Sequence, residues 1–169
     1  MKRLIILRHA KSDWDAVYAS DHDRPLNKRG RRAARAIGTI LARSGEVPDL
    51  AITSSAVRAR STLELAAKVG RWDTAIRVSE DLYGTSPAGA LRIAASAPDD
   101  VERLMLVGHQ PTWGILVQAL TGGAVEVKTA TAVGVAVFVS SWADLPQARG
   151  SLSYILAPRM FTDGNWDLD

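Results

Sequence analysis

Two of the three histidines in this chain stand where an apolar run breaks off. Leu4, Ile5, Ile6 and Leu7 run straight into Arg8 and His9, and the run from Arg103 to Val107 ends in Gly108 and His109. An imidazole, with an unperturbed pKa of about 6.5, can act as nucleophile, base or acid near neutrality. The arginine beside the first one carries a planar guanidinium that matches two oxygens of a phosphate or carboxylate. A third apolar run, Leu50 to Thr53, is followed by Ser54 and Ser55 and then by a helical pattern through Leu63, Ala66, Ala67 and Val69. A serine cap there would leave free N–H donors and the positive end of the helix dipole beside Arg58, in the first turn, and such a helix start attracts anions. Each feature alone has a bland reading, a histidine or arginine at a strand end with a purely structural role. Their recurrence at successive strand ends points instead to one anion site carrying imidazole chemistry.

The elements that must hold these residues follow from periodicity. Leu4 to Leu7 reads as a strand buried on both faces, as at the centre of a parallel sheet. Leu50 to Thr53, Ala75 to Val78 and Arg103 to Val107 give three more short strands. Helices alternate with them. Asn27 to Gly45 has a capping asparagine and a terminal glycine, Ser86 and Pro87 open a helix running through Leu91 to Ser96, and Thr112 to Leu120 is closed by Gly122 and Gly123. Ala132 to Val139 and Leu152 to Leu156 read as an antiparallel hairpin with its turn at Asp144 to Gly150. The pattern predicts a three-layer α/β/α sandwich with a mostly parallel central sheet, and in such sheets ligands bind beyond the carboxyl ends of the strands. The polar connection Lys11 to Asn27 is long enough to fold over the site mouth, with His22 read as a solvated loop residue. The polar tail, Thr162 to Asp169, is expected to be loosely ordered.

A chain of 169 residues, 47% hydrophobic, suits one core, so residues 1–169 are expected to form a single domain. The absence of cysteine excludes disulfides and thiolate metal sites. With no signal pattern and no apolar run of spanning length, a cytoplasmic protein without membrane partner is expected. The formal charge of +3 suits phosphorylated substrates or nucleic acid alike. Lys28, Arg29, Arg31, Arg32 and Arg35 crowd one helix, but no aromatic residue interleaves them, and they read as a solvated face rather than a nucleic-acid interface. No cluster at metal-ligand spacing occurs, so neither metal nor cofactor is expected. The oligomeric state is left open, with a monomer favoured.

Five separated stretches, LIILRHA, DHDRPLNKRG, TSSAVRARST, SEDLYG and LVGHQPT, resemble in order the motifs of the histidine phosphatase superfamily, which includes phosphoglycerate mutases and acid phosphatases. Within it the chain is most similar to the small SixA-like phosphohistidine phosphatase group. The resemblance implies a phosphoglycerate mutase-like fold and a metal-independent phosphatase that works through a phosphohistidine enzyme. It makes His9 the nucleophile and His109, in its cationic form, the second active-site histidine. Arg8 and Arg58 would hold the phosphate. Arg60, two residues on, fits less well. Arg24 would lie near the phosphate pocket, or else be a surface arginine paired with a neighbouring aspartate. Glu80 falls in the segment that carries the proton donor in phosphoglycerate mutases. Where the family pattern has glycine after the first histidine, this chain has Ala10, which is tolerated unless the backbone needs a positive φ there. The SixA-like group implies phosphohistidine on a protein as substrate. Small phosphoesters are the alternative, as is a catalytically weak phosphoprotein-binding module.

Overall fold

A computed structural model describes residues 1–162. Strand β1 (Lys2–Arg8) lies inside a six-stranded sheet, and its residues Leu4 to Leu7 are buried on both faces for that reason. The others are β2 (Leu50–Ser54), β3 (Ala75–Ser79), β4 (Arg103–Gly108), β5 (Ala132–Val137) and β6 (Gly150–Leu156), in the order β3-β2-β4-β1-β5-β6. β1, β4, β2 and β3 pair parallel, and β5 is antiparallel to both β1 and β6. The chain between β5 and β6 is not a simple turn: it contains a 3-10 segment, Trp142–Gln147, that buries Trp142 and Leu145.

Period-2 alternation sends the two faces of each strand into different layers. Leu4, Ile6, Ile52 and Leu106 meet Ala90 and Ala94 of α3 (Pro87–Ala95) and Trp113 and Leu116 of α4 (Thr112–Thr121). Ile5, Leu7, Met105 and Val107 meet Ile37 and Leu41 of α1 (Lys28–Arg43) and Leu63 and Ala66 of α2 (Val57–Gly70). A final short helix, α5 (Arg159–Thr162), follows β6. This is an α/β fold with helices on both sides of the sheet. From Asp163 onward the polar tail lies outside the described residues.

The caps decide where the helices enter. The Asn27 side chain accepts from the Gly30 N–H at 2.8 Å, and Ser86 accepts from Gly89 at 3.1 Å ahead of Pro87. The expected serine cap on α2 does not form. Ala56 is its N-cap, with no side-chain bond, because Ser54 is still the last residue of β2. Among the described residues no helix is long and apolar enough to cross a membrane.

α1 and α2 approach so closely that a side chain on Gly38 would run into the Ala66 backbone. A larger residue cannot be absorbed there by a rotamer change, because the obstacle is main chain. Gly38→Val should therefore destabilise the fold by about 2–3 kcal/mol, lowering Tm by roughly 4–12 °C in a domain of this size. Calorimetry on the purified variant reads this directly, and an unchanged Tm would contradict the packing described.

Candidate active site

Parallel pairing of β1 with β4 sets Arg8 opposite Gly108, and the His9 N–H donates to the Gly108 carbonyl at 3.0 Å. The residue leaving each strand is therefore a histidine, and the two rings stand side by side with centroids 5.1 Å apart. Beneath them the Trp113 indole donates to the Leu7 carbonyl at 3.0 Å, and only a glycine at 108 leaves room for that ring. Ala10 is buried and its N–H donates to Thr62 Oγ1 at 2.9 Å, which in turn donates to the Arg58 carbonyl at 2.6 Å. The exit of β1 and the start of α2 are thus tied by one hydroxyl. Ala10 does not have a positive φ, so its methyl group is accommodated where the family pattern has glycine.

His9 is 8% exposed, and its Nδ1 lies 2.8 Å from the Ala10 carbonyl. Burial, followed by the charges of His109, Arg58 and Arg8, pushes its pKa down to about 3 despite that carbonyl, so the ring is neutral. A carbonyl can only accept. The proton therefore sits on Nδ1, and Nε2 carries the free lone pair. His109 Nε2 lies 3.0 Å from Ser54 Oγ, and burial, then Arg58, lowers its pKa to about 4. His109 is thus neutral, not the cation expected from sequence, because it is desolvated beside fixed guanidinium charge.

Asp21 organises the arginines. Arg58 donates through Nη1 to the Asp21 carbonyl at 2.6 Å and through Nη2 to Oδ2 at 3.0 Å. Arg24 donates to Oδ1 through Nε and Nη2 at 3.2 and 2.8 Å, and to Ser12 Oγ at 2.7 Å, with its guanidinium 3.5 Å from the centre of the Trp14 ring. The Tyr83 hydroxyl donates to Oδ2 at 3.1 Å. Partial desolvation raises the Asp21 carboxyl, but Arg58, Tyr83 and Arg24 together outweigh it and hold the group below the ordinary carboxylate range. Arg24 is only 6% exposed, so it is paired with an aspartate yet is not a surface residue. Arg8 donates to the Val127 carbonyl at 3.0 Å, and the Nε–H of both Arg8 and Arg58 is buried without an acceptor.

These groups enclose a cleft of about 410 Å³, lined by Arg8, His9, Arg24, Arg58, Tyr83 and His109, with Trp14 at the wall. The structure brings together all but one of the residues singled out from sequence. The exception is Glu80, which is exposed, heads the 3-10 turn Glu80–Leu82 and is not among the lining residues. Arg60 faces away and pairs with Glu64 at 3.9 Å. His22 is not a solvated loop residue: its Nε2 is 2.9 Å from Ser55 Oγ, and its ring stands edge-on to Tyr83 at 5.0 Å. Asp21, Tyr83 and Ser54 escaped the sequence reading as site residues. Asp21 and Tyr83 lie inside or beside the matched motifs, but nothing local shows that they meet. Among the described residues no group of histidine and carboxylate side chains is arranged to hold a metal ion.

The chain resembles known proteins in sequence and fold. The model of the histidine phosphatase superfamily (branch 1) matches residues 4–85. An uncharacterized protein of Mycobacterium tuberculosis is 35% identical over 163 residues, covering 90% of this chain and 100% of that protein. An uncharacterized chloroplastic protein of Arabidopsis thaliana is 32% identical over 150 residues, 83% of this chain and 69% of the other. Among solved structures, one named "Putative Phosphohistidine Phosphatase SixA" from Nakamurella multipartitia superposes with a TM-score of 0.79 at 28% identity, covering 93% of this chain and 96% of that one.

Both cleft histidines should stay neutral through physiological pH. In the ligand-free protein, imidazole NMR signals of His9 and His109 are expected not to titrate between pH 5 and 8, since their pKa values are about 3 and 4. Because both lie below the unfolded value of about 6.5, the unfolded chain binds the extra protons. The associated stability is complete above that pH and is lost as pH falls through 6 towards 4 and 3. Orthovanadate should raise the His109 value by supplying the missing negative charge. A titration of either ring near pH 6.5 without ligand would overturn this account.

Proposed function

The chain belongs to the histidine phosphatase superfamily, and on that basis we propose that it is a metal-independent phosphatase that passes the phosphoryl group through His9, with phosphohistidine on a protein as substrate. The observation that carries the reading is the state of His9: a neutral ring with Nδ1–H held on the Ala10 carbonyl, its lone pair on Nε2, in a cleft walled by Arg8 and Arg58.

Nε2 attacks phosphorus in line with the leaving group. The N–P bond forms as the bond to the leaving atom breaks, and the Ala10 carbonyl stabilises the positive charge that the ring acquires. Water then attacks the phosphohistidine, phosphate departs and the lone pair returns to Nε2. Such transfers need positioning and charge compensation more than covalent help, and the two guanidiniums on the cleft wall, Arg8 and Arg58, supply both. The incoming dianion also favours a proton on His109, which then completes the cationic shell.

Two features support a phosphohistidine substrate. The similar solved structure bears that activity in its name. The cleft wall has no carboxyl among its described residues, and Asp21 beside it is ionised. A phosphohistidine whose other ring nitrogen already carries a proton departs as neutral imidazole, far less basic than an alkoxide, and needs no proton from the enzyme, so such a wall suits it. For an alkoxide leaving group the family resemblance would have Glu80, which heads the turn just before Tyr83, supply the proton, and from outside the cleft wall this requires the turn to bring the carboxyl inward when substrate binds.

Labelled phosphohistidine peptide, quenched in alkali where a phosphoramidate survives, should leave label on His9. His9→Ala should abolish both label and turnover while circular dichroism shows the fold retained. Comparable turnover in the variant would take His9 out of the chemistry, and a wild-type protein that binds the peptide with neither label nor turnover would leave only a binding module. Glu80→Gln should keep phosphohistidine hydrolysis within about threefold, yet cut alkyl phosphate hydrolysis by about 10²- to 10⁴-fold. Equal losses on both substrates would assign Glu80 to holding its turn.

A further inference from the structure

A second cavity, of about 360 Å³, adjoins the catalytic cleft and shares two wall residues with it, Lys11 and Thr129. The rest of its wall is strongly basic. Arg29 and Arg32 come from the start of α1, Lys128 from the turn ahead of β5 and Arg159 from α5. No carboxylate lines it among the described residues. Lys128 reaches Glu126 at 3.5 Å, but that carboxylate lies outside the wall and 79% exposed. Like charges gathered around a concave wall repel one another and raise the local concentration of anions.

The cavity is fixed relative to His9 by main chain. The Thr131 carbonyl accepts from the Arg8 N–H at 3.1 Å, and the Ala130 N–H donates to the carbonyls of Arg8 and His9 at 3.1 and 3.2 Å. Ala130 holds this tight turn at φ +59, a conformation that side-chain-bearing residues rarely adopt. On the opposite wall the Asn27 N–H donates to the Lys11 carbonyl at 3.1 Å, and Gly30 lies so close to that carbonyl that a side chain there would collide with it. Both walls are thus anchored to the segment carrying the catalytic histidine.

We propose that this cavity is a second oxyanion subsite, and that the substrates carry, beside the phosphoryl group delivered to His9, a phosphate or carboxylate that sits against Arg29, Arg32 and Lys128. The inference deepens the phosphatase reading and rests on it for the placement of the first anion. The second anion is either an acidic side chain flanking a phosphohistidine or the second acidic group of a small phosphorylated molecule. A compact, walled space between two fixed segments suits a single such group.

The test reads binding, not turnover. Isothermal titration of the full chain at physiological salt would compare alkane bisphosphonates of increasing length with the matching monophosphonates. The best bisphosphonate should bind at least about tenfold tighter, because its second anion is delivered at high effective concentration. In Arg29→Gln/Arg32→Gln, two exposed positions away from the catalytic cleft, this gain should fall below about twofold, while monophosphonate affinity changes by less than about threefold given screening over roughly 8 Å. No gain at any length, or a gain that survives in the variant, overturns the subsite. A gain in a protein that forms no phosphoenzyme would uphold the subsite and sink the phosphatase reading, and an active enzyme without the gain would do the reverse. Phosphohistidine peptides with aspartate or alanine beside the histidine then name the source. A lower KM for the aspartate peptide, lost in the variant, makes the second anion protein-borne. Equal peptides alongside a bisphosphonate gain make it part of a small molecule.

Discussion

The parallel pairing of β1 with β4 is the contact from which the rest of the molecule follows. It places two strand ends in register, and the hydrogen bond from the His9 N–H to the Gly108 carbonyl carries that register one residue beyond the sheet. A slip of one residue would reverse every side chain of β1, sending Leu4 and Ile6 to the wrong layer and His9 away from His109. Both faces of β1 are apolar, so what opposes this slip is the fit of its residues into the two packed layers and the His9–Gly108 hydrogen bond, and these same contacts aim the imidazoles. Trp113 adds to them, since its indole binds the Leu7 carbonyl and fills the space that Gly108 leaves. Fold and chemistry share one set of contacts.

Burial so deep has an electrostatic consequence. Two imidazoles desolvated near Arg8 and Arg58 stay neutral, and the lone pair on His9 Nε2 is available without any base to remove a proton first. The guanidiniums cannot shed their charge, so they need counter-charge, and Asp21 provides it from the cleft's edge. A guanidinium has five N–H donors. Arg58 spends one on the Asp21 carbonyl and one on its carboxylate, so a phosphate can be met by the remainder without expelling Asp21. The aspartate then works as a fixed pin that holds the fork in place, and the positive charge it leaves uncompensated is available to the substrate.

How much of this was legible in the sequence depends on the range of the interaction. Buried strands, alternating helices, the capping by Asn27 and Ser86, and the histidines at strand ends are local patterns of period 2 or 3.6, and each was readable along the chain. The serine cap on α2 failed because a tertiary demand outbid a local one: Ser54 is still in the sheet, where its hydroxyl meets His109 across 55 residues of sequence. His22 was misread for the same reason, its partner Ser55 lying 33 residues away. Asp21 meets Arg58 and Tyr83 at separations of 37 and 62 residues, which no periodicity encodes. Glu80 shows the converse. Its motif is plain in the sequence, but a motif does not say whether a side chain lines the cleft, and this one does not.

The arginines of α1 carry the argument one step further. Read as a row they are a solvated face, and for Arg31, which caps the Leu26 carbonyl, the structure gives a local role. Arg29 and Arg32, one turn apart on the helix, instead share a wall with Lys128 and Arg159, residues that the linear sequence places about a hundred positions later. What unites them is the Ala130 turn, which braces the catalytic strand and, by the same hydrogen bonds, sets the distance between His9 and the second basic cavity. A lone phosphate feels both clusters only as a field that steers it in. An anion pair of matching span can occupy both, so a fixed separation turns general attraction into a preference between substrates, without any contact to the group that bears the charges.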